Sequence, residues 1–327
     1  MKLFLRILPA ALLGVALLVT LQAQDKKPET WEEMKAAKLK PVSDDLQGKI
    51  AEALPTAASA VPKKTRNLLV FWRCGGFVHG SISHGNHALE QMAKKTKAFS
   101  VTLADEYSVF TKENLAKYDA VFFNNTTRLE LPEESMRQAL IEFLAEGKGV
   151  VGIHGASDNF YKWEAGAQMI GGQFNGHPWG GGGKWAFQLD DADHPINKAF
   201  DGEGFWHKDE IYQYKPETFV GAKKMRFLVS LDMSKEANTK VLETAKNKKY
   251  AEQYGPGPRQ VPVSWIREYG GGRVFYTNLG HRDDTFANPH VLRHMLDGIQ
   301  FALGDLEADA TPTGDSPEAP VPAPDAE

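Results

Sequence analysis

Four histidines and one acidic pair stand where side chains can do chemistry. His154 is the apex of GKGVVGIHGASDNFY, residues 147–161, in which an apolar run meets a turn of small residues. A strand–turn–helix elbow of this form usually presents Ser or Cys above the sheet; here it presents an imidazole. At the positive end of a helix dipole an imidazole stays neutral. Neutral imidazole suits a general base, a hydrogen-bond donor to a carbonyl, or a metal ligand, and does not suit an anion site. His79 follows the apolar run RNLLVFW, His281 ends RVFYTNLGH, and His177 lies in the glycine-rich GGQFNGHPWGGGGKW. In HKDEIYQY, residues 207–214, Asp209 and Glu210 are adjacent, so on an extended strand they point to opposite sides and only one faces a given pocket. Tyr212 shares the side of Glu210 and can set its hydroxyl beside that carboxylate.

Metal chemistry has no local signature. There is no HExxH and no cysteine pair, and His84 and His87, three apart, share at most a helix face. A divalent ion, zinc first, would be gathered from separate loops, with His79, His154 and His281 as its ligands. The glycine run 180–183 lacks a following Lys-Ser/Thr and is no phosphate loop. His290 and His294 read as surface residues of a terminal helix, and Ser157 as the cap of the turn after His154.

The elements that must position these residues are legible in the first half. Apolar strands are expected at 66–72, 99–105, 118–125 and 149–153, with helices over 85–97 and from Pro132 to a stop at Gly147. The second half is less regular: segments around Phe187, Phe227–Leu231 and Val261–Ile266, a strong strand at 273–281, and a helix from Pro289 to Leu303. Apolar strands alternating with helices predict an α/β sandwich with a mainly parallel sheet covered on both faces. Ligands of such sheets bind beyond the strands' carboxyl ends, where His79, His154 and His281 fall.

Composition bounds the rest. Residues 1–23 read as a secretory leader: Lys2 and Arg6, an apolar run Leu12–Leu21, and a small Ala23. The run is short for a membrane span, so an exported chain, periplasmic or extracellular and without a stable span after processing, is expected; an uncleaved anchor is the alternative. Residues 24–65 form a polar, proline-broken extension with short helices around Trp31–Leu39 and Leu46–Leu54, and 66–304 the globular domain. Residues 305–327 hold seven acids, five prolines and no base, a composition that predicts disorder. A single cysteine, Cys74, excludes an internal disulfide. The formal net charge of -4 without a basic block excludes a nucleic-acid footprint. Oligomerisation is left open.

The segments FVHGSI, GKGVVGIHGASD, GGQFNGHP, DADHPI, DEIYQY and VPVSWIREYGGGRVFYTNLGH occur together and in this order. The set resembles the trehalose-utilisation (ThuA-like) family of the class I glutamine amidotransferase-like superfamily, over about Leu68 to Ala302. The resemblance implies a flavodoxin-like sandwich and sugar metabolism, in particular of glycosides oxidised to 3-keto sugars. It raises Glu210 and Asp209 as acid–base candidates beside His154 and His281. His79, His177, Tyr212 and Trp179 become contacts for a small-molecule carbohydrate, with Trp179 and Trp185 laid against a sugar face. Superfamily amidotransferases carry Cys at the elbow; with His154 there, thiolate-dependent glutamine hydrolysis is excluded. An enzyme acting by His/acid-assisted proton transfer is the leading reading. The rivals are a non-catalytic sugar- or partner-binding module and a metal-dependent hydrolase of another class.

Overall fold

Apolar runs of β-branched and aromatic residues set the centre of the molecule. The computed structural model describes residues 30–254, 260–314 and 319–325. The expected leader, residues 1–23, lies outside the described residues. In chain order, helices α1 (Trp31–Lys38) and α2 (Asp44–Ala53) precede β1 (Asn67–Phe71), α3 (Ile82–Thr96), β2 (Ser100–Ala104) and the single turn α4 (Lys112–Leu115). Then come β3 (Ala120–Asn124), α5 (Glu134–Ala145), β4 (Gly149–Ile153), α6 (Glu164–Ile170), β5 (Lys184–Leu189), β6 (Phe205–Lys208) and β7 (Arg226–Leu231). The chain continues through α7 (Glu236–Glu243), α8 (Lys248–Tyr254), β8 (Pro262–Tyr269), β9 (Gly272–Thr277) and α9 (Pro289–Leu303).

One nine-stranded sheet results, in the order β2-β1-β3-β4-β9-β8-β7-β5-β6. The pairs from β2 to β9 are parallel and those from β9 to β6 antiparallel. The sheet is therefore mixed, which corrects the expectation of a mainly parallel one. The reason is local at its hinge: only Gly270 and Gly271 separate β8 from β9, at φ 60° and 95°. A two-residue loop with both φ positive makes a hairpin and forces antiparallel pairing.

Alternate residues of the parallel strands serve two cores. Leu68, Val70, Phe122 and Ile153 pack with α3 and α9 on one face; Leu69, Phe71, Phe123 and Val150 pack with α5 and α6 on the other. Gly149 lets α9 come close, since a Cβ there would sit 2.2 Å from the Ala302 carbonyl oxygen. Among the described residues no helix is long and apolar enough to cross a membrane.

Both flanks are tied to this sandwich. Trp31 of α1 is buried and its indole N–H donates to Asp105 at 2.8 Å, while Ile50 of α2 is fully buried. The tail departs from the disorder that its composition predicts. Asp305 pairs with buried Arg66 at 2.6 Å, Thr313 accepts from the Phe227 N–H, and Val321 exchanges two backbone hydrogen bonds with Leu189 of β5. The average composition conceals these few anchoring positions. The segment before β1 is fastened in the same way: Gln300 accepts from the N–H groups of Ser59 and Ala60, and Ser59 Oγ donates to Asp297.

Burial pushes Asp297 up to about 6, against the counter-pull of Ser59 and Arg293. A carboxyl raised above its unfolded value favours the protonated fold. Its stabilising contribution is complete below about pH 4 and is lost as pH rises through about 6. Asp297→Asn is accordingly expected to match the parent in stability at pH 4 and to exceed it by on the order of 2 kcal/mol at pH 8. Thermal melts of both proteins at the two pH values check this.

Candidate functional site

The carboxyl ends of the neighbouring parallel strands β1, β3, β4 and β9 lie at one edge of the sheet, so the loops leaving them converge. His154 is the first residue after β4, at φ 40° in a 3-10 turn, and is fully buried. The neighbouring exit from β3 is left-handed as well, with Asn125 at φ 51° and Arg128 at φ 48°. The His154 Nδ1 lies 2.9 Å from the Asn278 carbonyl oxygen, which accepts its proton. That bond fixes the tautomer and leaves the Nε2 lone pair facing His281 Nδ1 at 3.2 Å and Glu210 Oε1 at 3.8 Å. His281 Nδ1 is in turn 3.4 Å from Glu210 Oε1. His79 stands edge-on to both histidines, with ring centroids 4.8 Å from His154 and 5.2 Å from His281.

One ligand atom from each of His79, His154, Glu210 and His281 falls within 4.8 Å of the others, which makes this the group able to hold a metal ion among the described residues. His84 lies outside this group, its Nδ1 3.3 Å from Asp283 Oδ1 without a hydrogen bond. His79 and His281 line a cavity of about 650 Å³, walled also by Leu46 of α2, Phe77, Gly181, Gly182, Arg282, Asp283 and Asp284. Phe77 is 61% exposed, an aromatic face left in water at the mouth.

Burial dominates the electrostatics. It pushes His79 down to about 3 and His154 well below the usual imidazole range, each helped by the neighbouring rings. His281 is lowered by burial and then by His177. The three rings are neutral at pH 7. Burial, then the Asp209 carboxylate, pushes Glu210 up to about 7. Tyr212 stacks its ring 4.2 Å from that of His154, and burial holds its hydroxyl well above 10. His177, its side chain 47% exposed, sets Nδ1 3.2 Å from Glu210 Oε2. Glu210 thus offers one oxygen to the histidine cluster and the other to His177.

Three expectations need correction. Asp209 is not a catalytic residue: it points away from the cavity, is fully buried, and accepts from the N–H groups of Glu210, Gly280, His281 and Arg282 and from Thr285 Oγ. Burial pushes it up to about 6, and the converging donors keep it ionised at neutral pH. Trp179 is not a sugar platform: it is fully buried, its indole N–H donates to the Asn238 carbonyl, and it bridges Ile211. Trp185 is buried too, donating to the Asp209 carbonyl, and of the four glycines Gly181 and Gly182 line the cavity, with Gly181 set against the His281 ring. His294 is buried, held between Ser264 Oγ and the Ile196 carbonyl, and is no surface residue.

The family model for trehalose utilisation, ThuA, matches residues 67–302. The chain belongs to the ThuA family. With it comes an association with carbohydrate utilisation. All four residues of the cluster lie inside the ThuA match, whereas Leu46 in the cavity wall lies before it. Among solved structures, a ThuA-like protein of Bacteroides uniformis is 18% identical with a TM-score of 0.54, over 74% of this chain and 92% of that one. Another from Parabacteroides merdae is 20% identical with a TM-score of 0.53, over 78% and 97%. At such identities the likeness shows the ThuA fold alone. No curated protein matches the chain.

The structure also brings in residues that the reading of types and spacing missed. Asn278 acts through its backbone carbonyl, which no side-chain pattern reveals. Asn124 and Asn125 are fully buried, with Asn125 donating to the Gly280 carbonyl at 3.1 Å. Their signal was available: a run of polar residues, NNTT, directly after a buried strand. Cys74 is buried and pushed up to about 11, so no thiolate serves the site.

Proposed function

We propose that the chain is an exported carbohydrate-active enzyme that acts on a glycoside or its 3-keto derivative by carbonyl polarisation and proton transfer. The observation that carries this reading is the convergence of three neutral imidazoles and one carboxylate within 4.8 Å of one another, with two of them, His79 and His281, lining an open cavity of about 650 Å³. The ThuA association with carbohydrate utilisation supplies the substrate class, and the leader pattern of residues 1–23 supplies the export. A ketone at C3 of a sugar acidifies the C2 proton and places the glycosidic oxygen on C1 one carbon further on. Because the His154 Nε2 presents a lone pair and no proton, an electrophile gathered at the histidine cluster would polarise the ketone oxygen and stabilise the enolate. The proton passes to the Glu210–His177 pair as the C2–H bond breaks, and its electron pair closes the C1–C2 double bond as the C1–O bond opens. The leaving alkoxide recovers the proton from the same pair. Phe77 offers its exposed ring to a sugar face at the mouth.

Incubation of the purified chain with 3-keto glycosides, with and without added divalent ions, is expected to release the aglycone. His154→Ala is expected to lower that turnover by roughly 100-fold or more, as for loss of a group that stabilises developing charge. No turnover under either condition, by folded protein, would refute the reading.

A further inference from the structure

We infer that His79, His154, Glu210 and His281 ligate one divalent first-row cation, zinc being the best match, with a remaining coordination position open to the cavity. The ion rests on the geometry of this chain alone; what it does for a sugar rests on the function proposed above, which it deepens by naming the polarising group.

Distances speak first. Bonds of about 2.1 Å place neighbouring ligand atoms about 3.0–3.6 Å apart in a five-coordinate shell, four positions taken by the protein and one left open. His154 Nε2 to His281 Nδ1 is 3.2 Å, His281 Nδ1 to Glu210 Oε1 is 3.4 Å, and His154 Nε2 to Glu210 Oε1 is 3.8 Å. These three atoms form one face of a coordination polyhedron, and the His79 ring nitrogen lies within 4.8 Å of each of them.

Donor chemistry speaks second. Three neutral imidazoles and a carboxylate form a nitrogen-rich set of the kind that zinc and its neighbours take. His79 is 4% exposed, and its buried Nδ1 has no hydrogen-bond partner although the Asn125 backbone supports the same ring. An orphaned lone pair of this sort is costly unless something accepts it. A cation in the cluster does so.

The surrounding shell fits the same assignment. Metal-bound histidines commonly donate their other N–H to a carbonyl or carboxylate, which fixes ring and tautomer. His154 does this with Asn278. Asp209 fastens the backbone of Gly280, His281 and Arg282, and so holds the His281 ring in place. Glu210 Oε2 is left for His177, which puts a half-exposed imidazole next to the ion without using it as a ligand. Two of the ligands, His79 and His281, line the cavity together with Phe77, Arg282, Asp283 and Asp284, so an exchangeable ligand can reach the ion from there.

The test uses the full chain, stripped with a chelator and titrated with Zn²⁺ and separately with Co²⁺. One equivalent of either ion is expected per chain, with Co²⁺ giving visible absorption bands that saturate at that ratio. Glu210→Gln and His281→Ala, checked for folding by circular dichroism, are expected to weaken binding by roughly 100-fold or more, beyond the 10–100-fold usual for outer-shell changes. His87→Ala, on α3, is expected to leave it unchanged. Failure of the folded chain to take up either ion, or uptake unchanged in both variants, overturns the inference. A stoichiometric ion without turnover of keto glycosides overturns the catalytic reading and leaves the site standing. Turnover of keto glycosides by the ion-free chain, unchanged when the ion is restored, overturns the ion as the polarising group.

Discussion

Asp209→Ala is expected to destabilise the fold and to abolish whatever the histidine cluster does, although Asp209 never meets the cavity. Its carboxylate takes four backbone N–H groups and one hydroxyl. Removing it leaves those donors buried without an acceptor, at a cost of roughly 1–3 kcal/mol each before relaxation. A net loss on the order of 4 kcal/mol lowers the melting temperature by roughly 6 °C for a chain of this size. Asp209→Asn separates the two effects. It keeps the shape but turns an NH₂ toward N–H donors, so the fold is expected to persist with His281 displaced. Melting curves should then show a smaller drop, while turnover of a keto glycoside falls roughly 100-fold, the loss typical of misplaced catalytic groups. Full activity in the asparagine variant would mean that the loop holds its shape without the carboxylate.

Arg66→Ala is the second large effect, and it concerns stability alone. The guanidinium pairs with Asp305 through bonds of 2.6–3.0 Å, the two side chains being 9% and 0% exposed, and it also lies 3.7 Å from Asp119. Truncating one partner of a buried pair leaves the other charge stranded and costs about 3–5 kcal/mol. Replacing both partners by apolar residues, Arg66→Met with Asp305→Leu, is expected to recover most of that loss, because the one nearby carboxylate left behind, Asp119, keeps Lys64 at 2.6 Å. Urea unfolding of the single and double variants measures both numbers and their coupling. A single variant as stable as the parent would show that the pair contributes nothing net.

Arg66 and Asp305 also show where reading residues in order reaches its limit. Each sits at a boundary drawn from composition, one opening the globular domain and the other opening a tail too acidic and proline-rich to order itself. Nothing in either segment announces that the two meet, 239 positions apart. The legible part was local. Uninterrupted apolar runs became β1, β3, β4 and β9, and the helix from Pro289 to Leu303 has the bounds that its proline start and glycine stop imply. The antiparallel half was harder, because β5, β6 and β7 are short and pair with partners distant in the chain. Yet the Gly270–Gly271 hairpin signal lay in plain view between two strands. The site was legible by residue type, since imidazoles after apolar strands have few places to go. Trp179 misled for a physical reason: its glycine neighbours suggested an open loop, while its indole is buried between Ile211 and the chain at Asn238.

The left-handed backbone at His154 has a consequence for how this scaffold changes over time. Strain of about 1–3 kcal/mol held at a single non-glycine residue persists only when the surrounding structure enforces it. Here β4 fixes the approach, and the residue at its end is aimed at the crevice whatever its side chain. The elbow is therefore a mount rather than a reagent. A lineage can exchange a thiol for an imidazole there, and with it one reaction class for another, without rebuilding the sheet that carries it. What then decides the chemistry is the company brought in by the loops after β1, β6 and β9.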